Sequence, residues 1–395
     1  VLPSFNVIEG TVMCGTIPRM TEATTNSGLP EVLSARIQQV IGIDPELRPA
    51  TKPQFGHFQC NAAMRLAKSE GKPPREIAQR IVDEVDLADL CEPPEVAGPG
   101  FINLRLKAEV LAAAAERVRT DESVGIVPVA EPQTVVIDYS APNVAKSMHV
   151  GHLRTTIIGD AFRRVLTAVG HRVIAQNHIG DWGRQFGMLI EQILDEGIDP
   201  AELTLADADA LYKRANAHFN EDAEFAARAR ARVAVFQGGD EESLAIWRQL
   251  IEISKTGFNA AYDRLDVLLT DDDLAGESTY NDDLPVVCTE LEERGVGVID
   301  DGALCVFTEG FDAPLIVRKS DGGYGYATTD LAAIRRRVGE LGADRIIYVT
   351  DVRQGGHFAQ VFAAARKAGF LPGDVAAEHI GYGMVLGKDG KPFKT

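Results

Sequence analysis

The feature that most constrains the fold is an apolar run, a helical segment and a second apolar run between residues 134 and 181. "TVVIDYS" predicts a buried strand, "LRTTIIGDAFRRVLTAV" a helix that ends at Gly170, and "RVIAQNHIGD" a further strand. Strand, helix and strand within about 45 residues form a βαβ unit with parallel strands and a right-handed crossover. The apolar residues of the helix, among them Ile157 and Val165, are predicted to share one face.

Further strands and helices place this unit in a larger α/β chain. Residues 128–395 are predicted as a Rossmann-like domain with a doubly wound parallel sheet, and a helical insertion at about 190–265 interrupts it. Residues 29–127 are predicted as a small N-terminal α/β domain with four helices and one strand. Residues 1–28 are interpreted as a disordered or non-native leader, with Met20 as the candidate start, and the abrupt end at Thr395 indicates a fragment.

Composition excludes several classes of function. The chain has 395 residues and a formal net charge of -18, which argues against non-specific coating of nucleic acid or of an anionic membrane. Its 5 cysteines contain no C-x-x-C pair, so we expect reduced thiols in a cytosolic protein. No apolar run approaches the ~18 residues that a membrane span requires.

The junction between the first strand and its helix carries the first candidate site, in "APNVAKSMHVGHLRTT". The amides of Val150, Gly151 and His152 open the helix and favour a phosphate, and Gly151 lets a ligand approach the backbone. His149 and His152 can donate to an α-phosphate as charge builds on it, with Lys146 three residues ahead. The alternative to a phosphate-binding role is that the short H-x-G-H pattern occurs here by chance. A zinc site is weaker because no third ligand is evident nearby.

A second phosphate candidate is the C-terminal stretch "GYGMVLGKDGKPFKT". It fails the P-loop pattern because Asp389 follows Lys388. The lysines Lys388, Lys391 and Lys394 predict a mobile loop that could fold over a departing pyrophosphate. A solvated basic tail remains an equal alternative from the residues alone.

Five stretches together closely resemble bacterial-type arginyl-tRNA synthetases, a class I aminoacyl-tRNA synthetase family. They are "IDYSAPNVAKSMHVGHLRTTIIGDAFRRVL", "NHIGDWGRQFGMLI", "GYATTDLAA", "YVTDVRQGGHFAQV" and "GMVLGKDGKPFKT". The resemblance runs from about Met20 to Thr395. "FGHFQCNAAMRLAK" and "AGPGFINLRL" are similar to the domain that this family adds to contact the tRNA elbow.

The resemblance implies an activity in protein synthesis. Arginine would attack the α-phosphate of Mg-ATP to form arginyl-adenylate, and the arginyl group would pass to tRNA(Arg). The implied catalytic residues are His149, His152, Lys146, Lys391 and Lys394. The implied ATP-binding residues are Val150, Gly151, His357, Met384 and Lys388. For His357 the alternative is a surface histidine that caps a helix.

Arginine selection is a problem of charge, because a guanidinium is always protonated and fits carboxylates in a planar fork. The resemblance implies that Tyr326 and Asp330 form one wall and that Glu277 is a second carboxylate. Asp330 could instead be a helix-dipole carboxylate and Tyr326 a core residue. The α-amino and carboxylate ends of arginine would be held by Ser140, Asn143 and Gln354.

The resemblance also carries expectations about the whole protein. The helical anticodon-binding domain that follows the lysine loop in the family is absent from this chain, so we expect poor tRNA binding. The family needs bound tRNA for activation, and the expected state is a cytoplasmic monomer without protein-bound zinc. Two alternatives stay open, namely a small-molecule nucleotidylyltransferase and a non-catalytic paralogue that binds arginine or RNA.

Overall fold

A computed structural model describes residues 28–387 and Gly390. The chain divides into two compact units, one ending at Pro128 and the other beginning at Val129. Residues 1–27 of the predicted leader, with the candidate start Met20, and the three lysines Lys388, Lys391 and Lys394 lie outside the described residues.

The first unit packs helices on an antiparallel sheet. The elements are α1 (Leu29–Ile41), β1 (Leu47–Pro49), β2 (Phe58–Cys60), α2 (Ala62–Glu70), α3 (Pro74–Glu84), β3 (Glu95–Ala97), β4 (Phe101–Leu104) and α4 (Ala108–Thr120). The strand order is β1-β2-β4-β3, with all neighbours antiparallel. The core includes Leu33, Ile37, Ile77 and Leu104, all at most 1% exposed.

The prediction of a single strand in this unit is wrong. Residues of "GHFQCNAAMRLAKSEG", predicted as entirely helical, begin with strand β2, and α2 starts only at Ala62. Phe58 pairs with Leu104 and Cys60 with Ile102, so β4 supplies the hydrogen bonds that make this stretch extended. Strands of three residues are too short to show an alternating pattern.

The second unit contains the predicted βαβ unit and the remaining elements. Up to the end of the insertion these are β5 (Thr134–Asp138), α5 (Val150–Ala168), β6 (Arg172–Gln176), α6 (Arg184–Glu196), α7 (Leu205–Glu221), α8 (Ala223–Gln237) and α9 (Glu241–Leu265). After it come α10 (Asp283–Glu293), β7 (Gly297–Asp300), β8 (Ala303–Val306), β9 (Leu315–Arg318), α11 (Tyr326–Gly339), β10 (Arg345–Asp351), α12 (Gly355–Ala368) and β11 (Ala376–Tyr382).

The central sheet of this unit has the order β11-β10-β5-β6, and every pair of neighbours is parallel. Side chains of β5 alternate between two cores: Val135 and Ile137 pack on one face, and Val136 packs on the other. Helices therefore cover both faces, and the predicted doubly wound α/β fold is confirmed. A separate antiparallel sheet, β7-β8-β9, packs into the core that contains Val136.

Helix α5 does not bury the face that its apolar residues predicted. Ile157 and Val165 are 50% and 60% exposed, and the buried residues include Thr155 and Gly159. A Cβ placed on Gly159 would lie 2.2 Å from the ring of Tyr139. The helix approaches the end of β5 too closely for large side chains, so small residues face inward.

The sheet order reverses between β5 and β10, and ligands of doubly wound sheets bind outside the strand ends at such a point. None of the helices in the described part of the chain is long and apolar enough to cross a membrane. Among the described residues, no three His, Cys, Asp or Glu side chains are grouped so that they could hold a metal ion.

Candidate functional site

His149 and His152 cap helix α5 reciprocally. His149 is the N-cap residue, and its Nδ1 accepts a hydrogen bond of 3.0 Å from the Gly151 amide. Nδ1 of His152 accepts one of 3.3 Å from the His149 amide, and the two rings stack with centroids 3.8 Å apart. The expectation that the Gly151 amide is free for a phosphate is therefore wrong, since His149 already accepts its proton.

This cap fixes the protonation of both rings. A neutral imidazole that accepts at Nδ1 carries its proton on Nε2, so each ring retains one N–H donor. Burial and the charge of Lys146 lower the pKa of His149. Burial and the neighbouring His149 lower the pKa of His152 to about 4. Both histidines are neutral donors at pH 7.

Lys146 lies against the helical insertion. Its Nζ is 3.8 Å from the ring centroid of Tyr212 on α7, at the distance of a cation–π contact. The amide of Ser147 donates to Asp209 on the same helix at 3.4 Å. The insertion thus holds the segment that precedes the two histidines.

A strained turn leads from β5 to this segment. Ser140, Ala141 and Ala145 have φ values of +75°, +47° and +59°, a region that residues other than glycine rarely adopt. Ser140 Oγ lies 2.7 Å from the hydroxyl of Tyr262, which in turn accepts from Asn177 Nδ2 at 2.9 Å. Asn177 Oδ1 accepts the Ala141 amide at 3.0 Å, so a buried network holds the turn in place.

The Ser140 hydroxyl has its hydrogen-bond partners within the protein. Ser140 is 1% exposed, and its Oγ also accepts from Thr156 at 2.8 Å. Asn143 lies nearer the open end of the strands. Its segment pairs with the loop after β6, where Gly180 leaves room for the side chain: a Cβ there would lie 2.7 Å from Asn143 Oδ1.

Glu277 is held in place by a buried carboxylate. Asp181, which is 5% exposed, accepts from the amide and the hydroxyl of Ser278 at 2.9 and 2.6 Å. The backbone amide of Trp182 donates to the Glu277 carboxylate. Trp247 donates its Nε1 proton to the Asp181 carbonyl at 2.7 Å and contacts the Trp182 ring edge-on.

The electrostatics around Glu277 suit a cation. Burial, and then the negative charges of Asp181 and Asp330, raise the pKa of Glu277 to about 8. Asp181 and Asp330 therefore both lie close enough to Glu277 to repel its negative charge. A guanidinium between Glu277 and Asp330 would relieve that repulsion.

Asp330 and His357 form a pair that the sequence did not predict. Nε2 of His357 lies 2.6 Å from Asp330 Oδ2, and this contact raises the pKa of His357. Tyr326, four residues before Asp330, opens helix α11 and is 77% exposed, so it is not a core residue. His357, predicted beside the nucleotide, here contacts the carboxylate predicted to bind arginine.

The remaining predicted residues lie at the strand ends without side-chain contacts that define a role. Gln354 is exposed after β10, and Met384 is 38% exposed after β11. Val150, at the first position of α5, is 40% exposed. The lysines at 388, 391 and 394 lie outside the described residues.

Sequence reasoning missed a buried arginine. Arg337 on α11 is fully buried and donates to Asp138 Oδ2 at 2.6 Å and to Gln176 at 2.5 Å. These two acceptors end β5 and β6, so Arg337 ties α11 to the strand ends. The sequence does contain one indication of this role. Arg337 follows Asp330 by seven residues, which places both on the same face of the helix.

Comparison with known proteins agrees with this architecture. A family model described as "tRNA synthetases class I (R), catalytic domain" matches residues 118–395. A second, "Arginyl tRNA synthetase N terminal domain", matches residues 27–106. A solved arginyl-tRNA synthetase from Plasmodium falciparum superposes with a TM-score of 0.75 at 30% identity, covering 91% of this chain and 65% of that one.

Curated relatives give the same family at higher identity. The chain is 65% identical to an arginine–tRNA ligase of Cutibacterium acnes over 93% of its own length and 66% of the relative's. It is 52% identical to that of Thermobifida fusca, over 92% and 65% respectively. The chain thus spans just under two thirds of the length of these relatives. With its catalytic and N-terminal regions both matched, the chain belongs to the class I arginyl-tRNA synthetase family.

Proposed function

We propose that the protein is an arginine–tRNA ligase, which activates L-arginine with ATP and transfers it to tRNA(Arg). The observation that carries the proposal is the cluster of Glu277 and Asp330 at the open ends of the parallel strands. Asp330 helps to raise the pKa of Glu277 to about 8, so the ionised form of Glu277 lacks a compensating positive charge. A guanidinium supplies that charge permanently and can meet a carboxylate with two parallel hydrogen bonds.

ATP would bind beside the start of α5. The two neutral imidazoles each offer an Nε2 proton, and negative charge develops on the α-phosphate as the arginine carboxylate attacks it. Lys146, and the lysines at 388, 391 and 394, would meet the departing pyrophosphate. Mg²⁺ would arrive with the triphosphate.

The arginine side would use the opposite part of the crevice. Glu277 and Asp330 would hold the guanidinium, with Tyr326 beside them, and Asn143 and Gln354 would hold the α-amino and carboxylate ends. This order places the arginine carboxylate between its own pocket and the α-phosphate, as adenylate formation requires.

The N-terminal domain, 29–127, would contact tRNA, and the catalytic domain, 128–395, would carry both chemical steps. The match of residues 27–106 to the family's N-terminal domain supports this division of labour. We further propose a monomer that acts in the cytoplasm.

Pyrophosphate exchange tests the proposal. We expect exchange that depends on both arginine and tRNA(Arg), measured on the full-length protein. Exchange with another acid and without tRNA would favour a small-molecule nucleotidylyltransferase. Arginine binding without any exchange would favour a non-catalytic paralogue.

A further inference from the structure

The pair formed by His357 and Asp330 joins the first turns of two helices at the site. Asp330 is the fifth residue of α11, and His357 is the third residue of α12. Nε2 of His357 lies 2.6 Å from Asp330 Oδ2, and the two side chains are 37% and 17% exposed. A contact this short between an imidazole and a carboxylate is a charge-assisted hydrogen bond.

We propose that His357 is a positioning residue for arginine recognition, holding Asp330 by one oxygen so that the other faces the substrate guanidinium. This inference rests on the proposed function, because it deepens the arginine subsite. His357 acts through Asp330 and does not act on the nucleotide.

The geometry gives the imidazole this task. A carboxylate near the start of a helix can rotate, and each orientation presents different oxygens to a ligand. The bond from His357 removes that freedom and occupies Oδ2, so Oδ1 remains for the guanidinium. Glu277 supplies the further acceptor, which lets one planar cation bridge two carboxylates.

The charges around the pair favour the same role. Asp330 shares its surroundings with Glu277 and, through the chain of carboxylates, with Asp181. Among the described residues, Tyr326 on α11 is affected by the charges of Glu277 and Arg184, and Tyr348 on β10 by those of Asp330 and Arg337. Both tyrosines remain neutral near pH 7. His357 thus partly neutralises Asp330, and a bound arginine would add positive charge beside it.

A protonation change follows from this arrangement. The pKa of His357 is raised by its bond to Asp330, and a bound guanidinium would oppose the imidazolium form. Arginine binding should therefore release a proton from His357 in the pH range just above its ordinary pKa.

The test separates arginine from ATP. Direct calorimetric titration of arginine without nucleotide should show about tenfold weaker binding for His357→Ala, the effect of one charge-assisted hydrogen bond. The KM for ATP should change less than about twofold. His357→Gln, which can still place an N–H near Asp330, should restore most of the affinity and lose the proton release attributed to the imidazole.

Two further variants exclude a general structural effect. His218→Asn, on the helical insertion with Gln192 and Asp222 as partners, should bind arginine like the wild type. In an Asp330→Asn background, His357→Ala should weaken arginine binding no further, because the residue acts through Asp330.

The outcomes are distinct. Unchanged arginine affinity in His357→Ala, or a raised KM for ATP alone, overturns the inference and leaves the proposed function intact. If the full-length wild-type protein is folded but neither binds arginine nor exchanges pyrophosphate, both the inference and the proposed function are overturned. Equal losses for arginine and ATP with a lower unfolding midpoint, not rescued by His357→Gln, also overturn the inference.

Discussion

At the scale of single residues, Glu277 shows how a site can be prepared for a cation. Its carboxylate is desolvated and faces two others, so the protonated form is favoured in the empty protein and the pKa rises to about 8. A guanidinium binds the ionised form. Arginine therefore has to displace a proton wherever the pH lies below that value.

The first prediction is a pH dependence of arginine affinity. Because the raised pKa favours the neutral acid, binding should strengthen by about tenfold per pH unit as the pH rises towards 8, and then level off. Calorimetry in buffers of different ionisation enthalpy would measure the protons released by Glu277 and His357 together, and the difference between the wild type and Glu277→Gln would give the share of Glu277. Glu277→Gln should bind weakly at every pH with a smaller slope, and an unchanged slope would contradict the assignment.

The raised pKa of Glu277 also affects the free energy of unfolding, which should decrease with rising pH while arginine affinity increases. A carboxyl group whose pKa is raised on folding stabilises the protein while it is protonated, and that contribution is lost as the pH rises from its ordinary range to about 8. Glu277→Gln stays neutral, so the second prediction is that this variant unfolds at a higher urea concentration than the wild type at pH 9. At pH 4 the two midpoints should be close.

Tyr262 gives a third prediction. Its buried hydroxyl contacts both Ser140 and Asn177, so Tyr262→Phe leaves two polar groups without that partner. We expect a loss of about 2 kcal/mol in the free energy of unfolding, measured with urea. Tyr324→Phe, at a tyrosine that is 36% exposed, is the matched control and should cost far less.

These residues also mark what a sequence can predict about a site. His149 and His152 could be identified because the strand, the turn and the helix that position them are continuous in the chain. Tyr262 could not, since it meets Ser140 from 122 residues away and nothing local to "FNAAYDRLDV" indicates a polar partner. The pairing of His357 with Asp330 depends likewise on the packing of two helices.

At the scale of elements, the residues that cap helix α5 are also the residues proposed to bind the α-phosphate. The same two imidazoles that offer Nε2 protons to a ligand also close the first turn of the helix through Nδ1. An N-cap normally contributes about 1 kcal/mol, so a change at His149 has two separable effects.

The fourth prediction separates them. Asparagine is a good N-cap without an imidazole, so His149→Asn should keep the free energy of unfolding within about 0.5 kcal/mol of the wild type. Adenylate formation should fall by about 10²–10³-fold, as when a transition-state donor is removed. His149→Ala should lose both properties. Retained exchange in His149→Asn would contradict the role assigned to the ring.

Long helices and buried parallel strands can be predicted from this sequence, whereas its short antiparallel strands cannot. Long periodic helices and the buried parallel strands were identified from apolar spacing, including the helical stretch now formed by α6–α9. The short strands β1 to β3 were missed because tertiary pairing, and not local pattern, makes them extended. The inward face of α5 was misassigned because close contact at Gly159 outweighs hydrophobicity.

At the scale of the whole molecule, the hydrophobic core of the first unit is drawn entirely from that unit. Among the residues that the structure describes, this core extends from Leu33 to Val110 and includes none beyond Pro128. About one hundred residues with their own core are enough for independent folding.

The fifth prediction is that residues 28–128 fold alone. Circular dichroism should show a helical spectrum and one cooperative urea transition. Leu104→Ala, at a fully buried position, should lower the free energy of unfolding by about 2–5 kcal/mol. A fragment without cooperative unfolding would show that this core needs the rest of the chain.

The contact between Trp182 and Trp247 makes intrinsic tryptophan fluorescence a probe of the site. The chain contains 2 tryptophans, and their rings lie 5.9 Å apart at the base of the loop that carries Glu277. All indole emission therefore originates at one place, beside the carboxylates. A ligand that reorders this loop should change the fluorescence of the unlabelled protein, so that arginine can be titrated without any added dye.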